Sequence, residues 1–127
     1  VTQAAMIVAL ESPESEKCIA QMREEFSARR DRVCLLLREM PNIRFPVPEG
    51  AFYVFFDVSA YFGKNFGGKP VTDSLSFCAA LLEQAHVNLV PGSAFGKEGF
   101  ARMSFATSRE VIDAGMARLK EWLATAG

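Results

Sequence analysis

The sequence predicts an α+β fold, a small and mainly antiparallel sheet covered by helices in the order α-β-β-α-β-β-α. Three observations carry that reading. A long stretch, residues 12–40, repeats its apolar residues at helical spacing. Two pairs of short β-branched and aromatic runs follow, separated by a second helical pattern. A third, well-capped helical pattern closes the chain. Strand pairs interrupted by a helix favour helices layered on a small sheet over a parallel βαβ stack.

The first helix of this order is signalled by Ser12, Pro13 and Glu14: a serine N-cap, proline at the first helical position and an acid in the first turn. Ile19, Met22, Phe26, Val33, Leu36 and Met40 then mark its apolar stripe. Pro41 ends it, because the residue before a proline is pushed away from helical geometry. Ile43 to Phe45 reads as a short strand, followed by a rigid turn through Pro46, Pro48 and Gly50. Ala51 to Asp57 has the content of a strand buried on both faces. Tyr61 to Pro70 reads as a glycine-rich loop. Thr72 or Asp73 can cap a helix whose shared face holds Leu75, Cys78, Leu81, Leu82 and Ala85, and His86 ends it. Val87 to Val90 and Phe100 to Ala106 are the last two expected strands, joined by a turn at Pro91 and Gly92. Thr107 to Glu110 fits a capping box for the final helix, striped by Ile112, Met116, Leu119 and Leu123.

The 127 residues suit one domain, large enough to bury a core without disulfides or a structural metal. Residues 1–11 stand apart from 12–127. The run from Val1 to Leu10 is apolar nearly all round a helix, so it reads as the tail of an element whose packing partners lie elsewhere. A formal net charge of -1 provides no field to draw nucleic acid or an anionic membrane. Cys18, Cys34 and Cys78 form no C-x-x-C pair, so neither a zinc cage nor a disulfide framework is expected, and a reducing cytoplasm is the compartment they fit. The N-terminal run lacks a basic region and cleavage motif and is too short to span a bilayer.

Four features invite a chemical reading. The stretch GKNFGGK over 63–69 matches the phosphate-loop spacing G-x-x-x-x-G-K, but Pro70 stands where a Ser or Thr should reach Mg²⁺, so a surface loop is the better reading. The glycine-dense PGSAFGKEG over 91–99 lacks dinucleotide-binding spacing and reads as a turn. His86, the single histidine, fits a helix-end cation better than a general base. None of Lys17, Lys64, Lys69, Lys97 and Lys120 has the surroundings of a desolvated, Schiff-base amine. Arg102 is more informative. Alternation along Phe100 to Ala106 places it with Ser104 and Ala106, leaving space for a planar anion beside a guanidinium. Alternation alone favours the plainer reading, an arginine on a solvated strand face.

The motifs that decide between these are ordered along the chain. VNLVPGSAFG over 87–96, GFARMSFATS over 99–108 and GMARL over 115–119 resemble the C-terminal signature of class I/II aminotransferases, of the aspartate aminotransferase type. Upstream, PEGAFY over 48–53 resembles that family's proline–glycine–aromatic strand. Gln3 to Met6 with Ala9 and Leu10 resembles the helix leading into its small domain. The resemblance implies that residues 12–127 are the small domain and 1–11 the end of the linking helix. It implies that Arg102 grips a substrate α-carboxylate, that Phe52 lines the mouth of the pocket, and that Gly92 and Gly96 shape the loop beside it. It further implies a pyridoxal phosphate-dependent parent, a homodimer, transferring an amino group between an amino acid, aspartate foremost, and a 2-oxo acid.

The cofactor-binding half, with its Schiff-base lysine, is missing from these residues. The chain alone is therefore expected to bind no cofactor and to be inert. Two rival readings remain: a lyase or synthase of the same fold, and a free-standing binding or assembly module.

Overall fold

The computed structural model describes residues 1–127. Helix α1 spans Thr2–Glu11 and helix α2 Pro13–Arg38. Ser12 breaks them apart in an extended conformation; its hydroxyl accepts from the Glu14 N–H, and Pro13 starts α2 as its sequence position predicts. Strands β1 (Tyr53–Asp57), β2 (Asn65–Phe66) and β3 (Lys69–Pro70) follow, then helix α3 (Ser74–Ala85), strands β4 (Val90–Pro91) and β5 (Phe100–Ser104), and helix α4 (Arg109–Leu123). Strand β5 is central to an antiparallel sheet of order β1-β5-β4, and β2 and β3 form a separate two-stranded ribbon. An α+β fold with a small antiparallel sheet is what the sequence predicts.

One sheet face makes the core. Val54 and Phe56 of β1 and Ala101 and Met103 of β5 point into a cluster with Leu37 of α2, Phe77 and Leu81 of α3, and Leu119 and Trp122 of α4. The opposite face of β1 and β5 carries no covering helix. Hence β1 is not buried on both faces, as its apolar content suggests: Val54 and Phe56 are buried, Tyr53 is exposed, and Phe55 and Asp57 lie between. Residues on alternate sides of a pleated strand meet different surroundings, and composition does not report whether a second layer exists.

Several boundaries differ from the sequence reading. Ile43 to Phe45 forms no strand, only an isolated bridge between Arg44 and Asp57, because Pro46 and Pro48 cannot donate to a ladder. Val87 to Val90 contributes β4 only at Val90–Pro91, and β5 ends at Ser104 rather than Ala106. The expected glycine loop contains the β2–β3 hairpin, turning on Gly67 and Gly68 with φ of +56° and +83°, the paired positive values a two-residue hairpin turn requires. That hairpin, with Lys69 paired to Glu83, leaves no phosphate loop.

Helix α3 is capped by Asp73 in a reciprocal box with Ser76. Its buried face is Ser74, Phe77, Cys78, Ala80 and Leu81; Leu75 and Leu82, expected inside, are exposed, since the helix is covered from a direction rotated from the leucine-rich one. His86 ends α3 in the left-handed conformation. For α4 the capping residue is Ser108, one position beyond the expected Thr107, its hydroxyl accepting from Val111 N–H at 3.3 Å. Ile19 and Met22, counted in the α2 stripe, are half exposed, and only the C-terminal half of α2 meets the core.

Candidate functional site

The helix-free face of the sheet is where the chemistry-bearing residues gather. Alternation along β5 buries Ala101 and Met103 and leaves Arg102 half-buried on the open side, with Ser104 exposed beyond it. Pairing sets Phe55 opposite Arg102 on one flank and Val90 on the other. Two rings lie against the guanidinium. Its carbon is 5.0 Å from the centroid of Tyr53 and 4.4 Å from that of Phe95. None of the chain's seven ion pairs involves Arg102. A half-buried arginine without a carboxylate keeps all its forked N–H donors for a planar anion.

The loop from Gly92 to Gly99 holds one of those rings in place. A short 3₁₀ turn, Gly92–Phe95, leads to Gly96, whose φ of +69° lies in the left-handed region. At Gly92 a Cβ would sit 2.2 Å from the Lys97 carbonyl oxygen and 2.5 Å from that of Phe100, so only glycine fits. Glu98 fastens the far side: one carboxylate oxygen accepts from Gly99 N–H at 2.9 Å and from Ser74 N–H at 2.6 Å. Those two backbone donors hold the Glu98 carboxyl below its usual range. Its charge is thereby engaged within the loop. Lys97 lies over the Phe100 ring, 5.2 Å from its centroid.

The expected site residues do not all converge. Gly92 and Gly96 shape the loop that carries Phe95, beside Arg102. Phe52 sits at the entrance to β1, half exposed, its ring 6.3 Å from Phe26 of α2 and edge-on to Tyr53 at 5.9 Å. It lines a surface groove of about 730 Å³ with Ile19, Met22, Arg23 and Glu49. Tyr53, not Phe52, is the aromatic residue of that segment against the guanidinium. Neither Tyr53 nor Phe95 is singled out by sequence reasoning. The parity of β1 marks Tyr53 and Phe55 as neighbours on one face, but nothing local says which face meets Arg102.

No lysine of this chain is buried: Lys17, Lys69, Lys97 and Lys120 are exposed and Lys64 is intermediate. Lys17, Lys69 and Lys120 each pair with a glutamate. Amines in such settings are not desolvated and are poorly suited to a Schiff base. His86 is exposed at the C-terminus of α3. Cys34 and Cys78 are buried, and desolvation pushes the Cys78 thiol up to about 12. No helix is long and apolar enough to cross a membrane.

The family model described as aminotransferase class I and II matches residues 1–119, and the chain belongs to that family. Among curated relatives, it is 40% identical over 108 residues to an aspartate aminotransferase of Streptomyces avermitilis, covering 85% of this chain and 26% of the relative. It is 41% identical over 125 residues to an aspartate/prephenate aminotransferase of Cereibacter sphaeroides, covering 98% of this chain and 31% of the relative. The solved aspartate aminotransferase of Rhizobium meliloti superposes with a TM-score of 0.91 at 39% identity, over 98% of this chain and 31% of that one. The chain thus spans between a quarter and a third of the length of these relatives. The family implies pyridoxal phosphate, but the lysines present here do not fit that cofactor's anchoring site.

Proposed function

We propose that residues 12–127 are the small domain of a pyridoxal phosphate-dependent aminotransferase, residues 1–11 being the end of the helix that joins it to a cofactor domain. In that parent, a homodimer, Arg102 binds the α-carboxylate of an amino acid, aspartate foremost, and of the matching 2-oxo acid. The observation that carries this reading is the half-buried Arg102 guanidinium, flanked by rings and bound to no acid of its own. A bidentate carboxylate completes such a group, fixing the orientation of the substrate about its Cα. Phe52, in its groove, contributes to the rim. The relatives named above, aspartate and aspartate/prephenate aminotransferases, support the substrate class. The free thiols fit a reducing cytoplasm.

The test is Arg102→Lys in the full-length parent. Lysine keeps the charge but loses the fork, so kcat/KM for L-aspartate should fall by about two orders of magnitude. A value within about threefold of the parent's would overturn the assignment. The isolated chain, mixed with pyridoxal phosphate, L-aspartate and 2-oxoglutarate, should give no turnover; measurable oxaloacetate formation would contradict the proposed division of labour.

A further inference from the structure

We propose that Tyr53 and Phe95 are positioning residues: their rings lie against the Arg102 guanidinium, confine it and so preset it to receive a substrate carboxylate edge-on. This rests on the reading of Arg102 as the carboxylate site and adds to it two residues and a way of acting. The ring centroids lie 5.0 Å and 4.4 Å from the guanidinium carbon, within the range over which an aromatic face attracts a cation. The rings come from separate segments of the chain, Tyr53 from the start of β1 and Phe95 from the 3₁₀ turn before β5.

Each ring is itself braced. Phe95 meets Phe55 edge-on, with centroids 6.1 Å apart and planes at 87°, and Phe55 stacks on Phe100 at 5.0 Å. Tyr53 meets Phe52 edge-on, at 5.9 Å and 86°. Edge-to-face contacts of this kind fix ring planes as well as filling space. Phe52 thereby acts on the site from one residue removed, through Tyr53. Gly92 and Gly96 act from the other side, since the backbone path they permit delivers Phe95.

The chemistry of the clamp differs from that of an acidic partner. A carboxylate holding Arg102 would occupy the N–H donors that the substrate needs and would have to be displaced. A ring face attracts the cation without accepting those in-plane N–H bonds, so the fork is steadied and left open. An arginine has many rotamers to lose on binding; one already confined loses fewer. The clamp should therefore strengthen binding of substrate and transition state alike, which appears in KM and not in kcat.

In the full-length parent, Tyr53→Leu and Phe95→Leu remove a π face while keeping apolar bulk, and Tyr53→Phe and Phe95→Tyr retain it. Each leucine variant should raise KM for L-aspartate by about five- to tenfold with kcat changed by less than about twofold. The aromatic replacements should stay within about twofold of the parent. Leucine variants with unchanged KM, or aromatic variants as impaired as the leucine ones, would overturn the clamp; the comparison holds even if a variant melts earlier, since each leucine is judged against its aromatic counterpart. A damaging Arg102→Lys with silent leucine variants sinks the clamp and leaves the carboxylate reading standing. A silent Arg102→Lys sinks both.

Discussion

Gly92 and Gly96 stand four residues apart in one loop and are needed for different reasons. Gly92 is required for space: its missing Cβ would lie inside two backbone carbonyls, which have no rotamer by which to yield. Gly96 is required for conformation: φ is +69°, yet nothing lies within 4 Å of the position a Cβ would take. Gly92→Ala should therefore cost about 2–4 kcal/mol, and Gly96→Ala about 1 kcal/mol. Urea denaturation of the two variants measures both; equal losses would show that the loop relaxes around Gly92. The sequence marks both glycines as loop-shaping but does not separate their roles, because the approach of the Lys97 and Phe100 carbonyls to Gly92 belongs to the folded loop and not to its composition. Arg102 shows the same division. Parity along its strand is legible, whereas the rings that flank it are not.

Helices α2 and α4 are joined at the surface by one carboxylate of α2. Glu25, on α2, accepts from Arg109 at the start of α4 through both oxygens, at 3.1 Å and 2.6 Å, and from Arg29 one turn along its own helix at 2.8 Å. Hydrogen bonds from Arg109, then Arg29, lower its carboxyl from 4.5 to about 2. A depressed folded-state value means the unfolded chain takes up the proton first. The stabilisation is complete above the ordinary carboxylate range and disappears as pH falls from about 5 to about 2. Glu25→Gln should lower the melting temperature at pH 7, and the gap between variant and parent chain should close on acidification across that window. A gap that stays constant down to pH 2 would show that charge has no part in the α2–α4 tie. At this scale the sequence reads helix starts well, because Ser12 with Pro13 and Asp73 with Ser76 are local chemistry. Strand edges it reads poorly, because a strand exists only where a partner pairs with it.

On the scale of the molecule, apolar surface is unevenly distributed. Helix α1 buries none of its residues, and Met6, Ile7, Val8 and Leu10 are each more than half exposed. Ile19 and Met22 continue that surface along α2 towards the groove at Phe52. The core owes nothing to α1, so a chain lacking residues 1–11 should melt cooperatively within about 4 °C of the intact one. It should also bind less of the apolar dye ANS. Loss of cooperative melting would mean that α1 supports the domain and is not a link to another. Helix α1 rests on its neighbour α2 with none of its residues buried.

Periodicity, capping residues and the ordered motifs of 48–53, 87–108 and 115–119 were sufficient by themselves for the main helices, the class of fold and the family. These are properties of neighbouring residues, and neighbours are what a sequence displays. Tertiary structure alone decided that one sheet face stays open, that Tyr53 and Phe95 both lie against Arg102, and that Phe66 of the hairpin stacks on Trp122 of the last helix at 3.9 Å. Each joins residues from distant parts of the chain. Strand register and helix placement, fixed by burial of the whole core at once, select those partners from many that local pattern permits equally.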